Sequence, residues 1–116
     1  MQALLTLLIF GSVTSYDART TVQAEVSAYT SSVGETDADP FITASGSTVD
    51  ETTLACPSKL PFGTEVHIRN KVYYCKDRMN ARYRDKENYD IWMADIKEAR
   101  KWGRQSLEIV VYNYPQ

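Results

Sequence analysis

Apolar and polar residues alternate in several short runs of this 116-residue chain, a period of two that an all-helical fold would not show. Successive side chains of a β-strand point to opposite faces, so the alternation predicts half-buried strands. Every run is short, and runs are separated by Gly, Pro, Asn or Ser. The predicted strands are residues 21–29, 52–56, 64–68, 71–77, 89–92 and 107–112.

One segment changes to a helical period. Ile96, Ala99 and Trp102 recur at intervals of three residues, Asp95 lies in the first turn, and Gly103 supplies a C-terminal stop. This pattern predicts one short helix directly before the last strand. Short strands and one helix, without an internal repeat or linker, predict a mainly β protein with a single small barrel domain.

The first ten residues are apolar, but this run is much shorter than the roughly 20 residues that a membrane-spanning helix needs. Val13 and Ser15 then provide small residues at the minus-three and minus-one positions of a signal-peptidase site. We interpret residues 1–15 as a signal peptide and expect a secreted or cell-envelope protein without stable membrane insertion. No Lys or Arg precedes the apolar run. Two alternatives therefore stay open, an incomplete start and a buried amino-terminal segment.

Two cysteines, Cys56 and Cys75, accompany this predicted export. A zinc site needs three or four ligands, and the only histidine, His67, stands alone between two apolar residues. In a small exported domain, two cysteines form a disulfide more often than they bind a metal. We expect a disulfide between Cys56 and Cys75, no metal and no cofactor.

The charges are balanced overall but not along the chain. A net charge of -2 provides no basic field for nucleic acid and no polybasic patch for a membrane surface. Residues 78–88 are predicted to form a basic loop that contains Arg78, Arg82, Arg84 and Lys86. An anionic or hydroxyl-rich ligand would be bound by this loop, and the alternative is a solvated loop without a ligand.

Two aspartates bracket the basic loop. Asp77 ends one predicted strand, and Asp90 lies in the next one. On regular strand geometry Cys75 and Asp77 share a face, as do Asp90 and Trp92. The two carboxylates are therefore candidates for one site. The alternative is a structural role, in which strand-end aspartates accept hydrogen bonds from loop amides.

Two polar stretches precede the second predicted strand. Residues 30–40 are rich in Ser, Thr, Gly and Asp without an apolar period, which predicts a loop, and they lack the patterned ligand set of a calcium site. Residues 41–49 are predicted as a brief extended run that ends in a glycine turn. Small hydroxyl residues in this run, such as Thr43 and Ser45, allow close approach by a ligand or by another backbone segment.

Several passages, taken in their order, resemble one protein family. They are AYT (28–30) with ITASG (42–46), PSKLPFGT (57–64), KD (76–77), YDIW (89–92) and WGR (102–104). Over residues 26–112 the chain is similar to the three-aspartate (3D) domain. This domain is a double-psi β-barrel found in lytic murein transglycosylase A and in stationary-phase cell-wall enzymes, and its barrel type is related to that of rare lipoprotein A, expansins and some endoglucanases. The resemblance implies a small double-psi barrel of six short strands over residues 22–113.

The family aspartates can be carried over position by position. The third one, the family's catalytic acid, corresponds to Asp90, the second corresponds to Asp77, and Cys56 replaces the first. The resemblance implies a lytic transglycosylase that cleaves the β-1,4 bond of peptidoglycan without water. Asp90 would then donate and later accept one proton, and the charge of Asp77 would favour its protonated form.

The resemblance also implies a polysaccharide partner and a set of substrate contacts. The usual glycines of the family loop are replaced by RMNAR (78–82), which changes the contacts available there. The implied substrate-binding residues are Thr43, Ser45, Arg78, Asn80, Tyr89 and Trp92. We expect a monomer that does not bind nucleic acid.

Two other functions remain open. One is an expansin-like carbohydrate-binding or wall-loosening module that kept the barrel and lost turnover when the first aspartate became Cys56. The other is a secreted interaction protein or inhibitor whose barrel is held by a disulfide. Only the enzyme would release 1,6-anhydro-muropeptides from peptidoglycan, and the interaction protein would have no affinity for glycans.

Overall fold

The computed structural model describes residues 18–31 and 41–115. The strands there are β1 (Arg19–Tyr29), β2 (Thr53–Cys56), β3 (Glu65–Ile68), β4 (Lys71–Arg78), β5 (Asn88–Trp92) and β6 (Gln105–Tyr112). A 3-10 helix, Ala81–Tyr83, lies between β4 and β5, and helix α1, Ile96–Trp102, precedes β6. The predicted signal peptide and most of the predicted loop at residues 30–40 lie outside the described residues.

The six strands form a closed barrel in the order β1-β5-β2-β4-β3-β6. Two neighbouring pairs are parallel, β1 with β5 and β2 with β4. The other four pairs, β2/β5, β3/β4, β3/β6 and β1/β6, are antiparallel. Each strand thus has a neighbouring strand on both sides, and residues 19–24 of β1 are paired with β6 alone. The predicted barrel class, with one short helix before the last strand, is confirmed.

The alternating residues account for the core. Val26 of β1, Leu54 of β2 and Ile109 of β6 are completely buried. The residues before Val26 and Ile109, Glu25 and Glu108, extend toward solvent, whereas all four residues of β2 are buried. Fully burying one such side chain stabilises a fold by about 1.5–3 kcal/mol. Tyr89 and Ile91 of β5, the strand between β1 and β2, belong to the same cluster. The barrel interior is therefore a packed core rather than a cavity that a ligand could enter.

The Cys56–Cys75 disulfide is present, as predicted. Both cysteines are fully buried and belong to the hydrophobic core. They lie on the neighbouring parallel strands β2 and β4, so the bond ties together two chain segments that are 19 residues apart. This cross-link fixes the strand pair that carries the candidate site.

Two local signals explain how the chain turns. Arg69 and Asn70 have φ values of 50° and 66° and connect Ile68 to its pairing partner Lys71, which is a two-residue hairpin with both loop residues in the left-handed region. The side chain of Asp95 caps α1 by accepting from the Lys97 amide at 2.8 Å.

No helix in the described ranges has the length and apolar character to cross a membrane.

The run at residues 41–49 differs from its prediction. It is a compact loop with one isolated bridge, between Ile42 and Thr48, and not an extended strand. The Thr43 amide donates to the Ser47 carbonyl at 2.8 Å, and Gly46 has a φ of 91°. The predicted glycine turn is thus correct. The extended part fails because hydroxyl residues bond within the loop instead of forming a ladder.

Candidate functional site

Asp77 and Asp90 are brought together by one small residue. Strand β2 lies between β4 and β5, and its Ala55 is paired with Asp77 on one side and with Asp90 on the other. Paired residues on adjacent strands project to the same face of a sheet, so both carboxylates share the outer face with Ala55. Two strand spacings put the two aspartate α-carbons about 9–10 Å apart.

A β-bulge determines the direction of Asp77. Leu54 is paired with Cys75, but the next residue, Ala55, is paired with Asp77, so Lys76 is an extra residue in β4. Because Leu54 and Ala55 point to opposite faces, Cys75 faces the core and Asp77 faces outward. The predicted shared face of Cys75 and Asp77 is therefore wrong. Regular alternation would have pointed this carboxylate into the barrel beside the disulfide.

Asp77 is fixed by three hydrogen-bond donors. The Tyr29 hydroxyl donates to Oδ2 at 2.8 Å, and the amides of Ala44 and Arg78 donate to Oδ1 at 2.9 and 3.0 Å. These bonds connect the loop at residues 41–49 to the barrel wall. The structural role foreseen for strand-end aspartates thus applies to Asp77, which forms a fixed negative charge beside Ala55.

Asp90 has the opposite environment. It is half-buried, and in residues 18–31 and 41–115 no hydrogen-bond donor contacts its carboxyl group. Burial raises the pKa of Asp90, the positive charge of Arg104 opposes this rise, and the negative charge of Asp77 adds to it. Asp90 is therefore a carboxyl group that keeps its proton to higher pH than an exposed aspartate and that is available to an incoming ligand.

Tyr29 belongs to the site although its sequence pattern did not identify it. It lies on β1, and its hydrogen bond to Asp77 on β4 spans the two strands between them, β5 and β2. Burial raises the pKa of Tyr29 first, and the charges of Asp77 and Asp90 raise it further. The hydroxyl therefore stays protonated and acts as a donor near both carboxylates. Its position at the end of an alternating strand indicated only that Tyr29 faces outward, and it did not identify Asp77 as the hydrogen-bond partner.

The predicted hydroxyl residues lie beside Asp77. Thr43 is 5% exposed, and its Oγ1 is within 2.9 Å of the hydroxyls of both Ser45 and Ser47. The Ser45 amide donates to the Lys76 carbonyl at 3.1 Å, which docks the loop on the bulged part of β4. Ser45 is exposed and can contact a ligand, whereas the buried Thr43 mainly holds the loop together.

The two aromatic residues that were predicted to contact the substrate, Tyr89 and Trp92, lie on opposite faces of β5. Tyr89 is fully buried in the core, where its hydroxyl donates to Glu87 Oε1 at 2.8 Å, so it offers no surface to a ligand. Trp92 is half-buried on the outer face, is paired with Tyr29, and donates from Nε1 to the Ser31 hydroxyl at 2.8 Å. Of the two aromatic residues, only Trp92 lies on the face of Asp90.

The basic loop has its own internal structure. Asn80 caps the 3-10 helix by accepting from the Arg82 amide at 3.3 Å, so its side chain is used for the fold. The guanidinium of Arg78 lies 4.1 Å from the centre of the Phe62 ring and donates to the Pro57 carbonyl at 3.3 Å. The Arg78 guanidinium is thus held by Phe62 and Pro57, and Asp77 acts on it as a nearby charge.

Comparison with known proteins does not extend these observations. No family model matches the sequence, and no curated protein matches it. Within the part of the chain that the structure describes, no group of three or more His, Cys, Asp and Glu residues could hold a metal ion.

Proposed function

We propose that this chain is an exported relative of the three-aspartate domain and cleaves the glycan strands of peptidoglycan as a lytic transglycosylase. The observation that carries the proposal is the environment of Asp90. It is a half-buried carboxyl group with a raised pKa, it lacks a donor among the described residues, and it lies one small residue away from the fixed charge of Asp77. General acid catalysis needs a group with these properties.

The reaction needs one proton carrier. Asp90 protonates the glycosidic oxygen as its bond to C1 of the N-acetylmuramic acid residue breaks. The resulting carboxylate then accepts the proton of the sugar's own 6-hydroxyl, whose oxygen forms the new bond to C1. The proton balance of Asp90 is restored, no water is consumed, and the product carries a 1,6-anhydro ring.

The state of Asp77 favours this reaction over hydrolysis. An inverting hydrolase needs a second carboxylate about 6.5–9.5 Å from the acid to take a proton from water. Both oxygens of Asp77 are already engaged, Oδ2 by the Tyr29 hydroxyl and Oδ1 by two amides. These three bonds give Asp77 a structural role, and we assign it to supporting Asp90 by its charge rather than to taking a proton from water.

A cleft beside Trp92 gives the glycan a surface to bind. The cleft is bordered by Trp92, Phe41 and Ile96, and it has a volume of about 320 Å³. Aromatic rings combine a large apolar face with polar edges, which suits the mixed surface of a sugar ring. Trp92 is two residues from Asp90 on the same face of β5, so a sugar bound there would extend toward the carboxyl group.

A wall-binding module without turnover is the second candidate, and the environment of Cys56 favours it. Where the three-aspartate family has its first carboxylate, this chain has a fully buried sulfur in a disulfide. This chain therefore has one acidic group fewer than the family pattern. In this case glycan binding through the Trp92 cleft would remain, and bond cleavage would be absent.

Mass spectrometry of digested peptidoglycan tests the proposal. Purified protein should release 1,6-anhydro-muropeptides, and Asp90→Asn should lower that rate by about 10²- to 10⁴-fold because it removes general acid–base assistance. Glu108→Gln is the matched control, since it removes one exposed carboxylate from β6 and should leave the rate unchanged. Glycan binding with no anhydro product from the unmodified protein would favour the wall-binding module instead.

A further inference from the structure

Three neighbouring arginines form no ion pair with a carboxylate of residues 18–31 or 41–115. Arg78, Arg82 and Arg84, which we call the arginine patch, lie at the end of β4 and around the 3-10 helix. In the described ranges the cations that pair with carboxylates are Lys59, His67, Lys76 and Arg104, and none is in the patch. Acidic residues outnumber Lys and Arg in the chain, 15 to 13. Three arginines without a carboxylate partner among the described residues thus follow one another closely, and they offer several N–H donors to an anionic ligand.

Neutral contacts hold the guanidinium groups in place. Arg78 lies over the Phe62 ring and donates to a backbone carbonyl, as described above. Nε of Arg84 donates to the Met79 carbonyl at 2.9 Å, and the Arg84 carbonyl accepts from the Ser58 amide at 2.8 Å. Both Nη groups of Arg84 lack a protein partner among the described residues. These fixed donors are suited to a carboxylate, which an arginine can bind with two parallel hydrogen bonds.

The charges of the patch also act on one another. Burial lowers the pKa of Arg78, and the nearby charge of Arg84 lowers it further, although Asp77 opposes both effects. An anion bound next to Arg78 and Arg84 would reduce the repulsion between these two like charges.

A cleft of about 330 Å³ adjoins Arg84. Its lining includes the side chains of Ser58, Lys59 and Asp85. Lys59 is already paired with Glu87, and Asp85 places one negative charge on the lining. The donors available to a ligand are therefore the Arg84 guanidinium and the Ser58 hydroxyl. Together they can bind one carboxylate and an adjacent hydroxyl or amide group.

We propose that the arginine patch binds a carboxylate carried by the glycan substrate. This inference rests on the proposed function and deepens it, because muramic acid carries a carboxyl group on its lactyl arm that is either linked to a stem peptide or exposed. The patch begins at Arg78, the residue that follows Asp77 at the end of β4, so it starts on a strand that also carries part of the candidate site. The enzyme would thereby distinguish peptidoglycan from neutral glycans such as N-acetylglucosamine oligomers.

Binding measured in an Asp90→Asn background tests the inference without turnover. The three probes are glycan strands with stem peptides, strands stripped of their peptides so that the lactyl carboxylate is exposed, and neutral N-acetylglucosamine oligomers. Arg84→Gln should weaken binding of an acidic probe by about tenfold or more, as expected for the loss of a charge-assisted hydrogen bond. Arg84→Gln should leave the affinity for neutral oligomers unchanged. Arg84→Lys should recover part of the affinity for the acidic probe. Raising the salt concentration should reduce this difference.

The controls separate this inference from the proposed function. Arg100→Gln removes one exposed arginine from α1 and should bind all three probes like its parent. Loss of affinity only for strands with peptides assigns the carboxylate to the stem, and loss only for stripped strands assigns it to the lactyl arm. Equal affinity of Arg84→Gln and its parent for all probes, with unchanged thermal stability, would overturn the inference even if the unmodified protein cleaves peptidoglycan. Failure of cleavage with selective acidic binding would overturn the proposed function alone.

Discussion

Removing the Cys56–Cys75 cross-link should cost this barrel much of its stability. The bond joins two cysteines that are 19 positions apart in the sequence. On the chain-entropy model, ΔS is about −2.1 − 1.5R ln n cal/mol/K, so a loop of about 20 residues gives about 3.3 kcal/mol at 25 °C. That loss is a large fraction of the 5–15 kcal/mol that is typical of whole domains.

The same loss of free energy can be expressed as a decrease in the melting temperature. The barrel extends from Arg19 to Tyr112, and a unit of about 95 residues unfolds with an entropy of about 200 cal/mol/K. A loss of about 3.3 kcal/mol therefore lowers Tm by roughly 15–20 °C. Differential scanning calorimetry should detect this in wild-type protein that has been unfolded and refolded in a reductant, which keeps both sulfur atoms in the core.

The double variant Cys56→Ala/Cys75→Ala gives an independent comparison. Both side chains are fully buried, so the variant loses packing as well as the cross-link and should melt below the reduced wild type. If both proteins melt within about 5 °C of the oxidised one, the bond does not restrict the unfolded chain as the model requires. Melting of the reduced protein below the double variant would show that two thiols fit the core badly.

Three further predictions concern the outer face. Burial and the charge of Asp77 raise the pKa of Asp90, and the charge of Arg104 lowers it. In the pH profile of peptidoglycan cleavage, Asp77→Asn should therefore move the alkaline limb to lower pH, and Arg104→Gln should move it to higher pH. Because a raised folded-state pKa makes stability fall as pH rises through it, Asp90→Asn should raise Tm at neutral pH, and the gain should disappear below about pH 4. Tyr29→Phe should destabilise the fold by about 1.5–3 kcal/mol in urea titrations, whereas Tyr83→Phe, whose hydroxyl has no partner among the described residues, should stay within about 0.5 kcal/mol.

The strands could be predicted from the sequence because each one has a core face and a solvent face. Val26 and Ile109 are buried at the positions that the period of two requires, and the helix begins and ends near Asp95 and Gly103 as its caps indicate. The order of the strands could not be predicted this way. The parallel pair of β1 and β5 joins Val26 to Tyr89, and such distant pairing leaves no mark in a local pattern.

The candidate site was predicted only in part, and each error has a physical cause. The bulge at Lys76 has no glycine to signal it, so regular alternation assigned Asp77 to the face of Cys75. Tyr89 could have been excluded at the outset, because neighbours in a strand face opposite sides and Asp90 was expected to face a ligand. Tyr29 was missed because its bond to Asp77 depends on the barrel order.

The position of Cys56 connects the stability of this barrel to its chemistry. Cys56 follows Ala55 on β2, so the disulfide is anchored one residue from the point where Asp77 and Asp90 meet. A carboxylate at position 56 would point toward the core, where an ionised group is costly without a partner. The disulfide instead makes β2 and β4 rigid and leaves Asp90 as the carboxyl group with a raised pKa. Because the proposed reaction needs one proton carrier, this replacement is compatible with catalysis and favours a site in which Asp90 alone exchanges the proton.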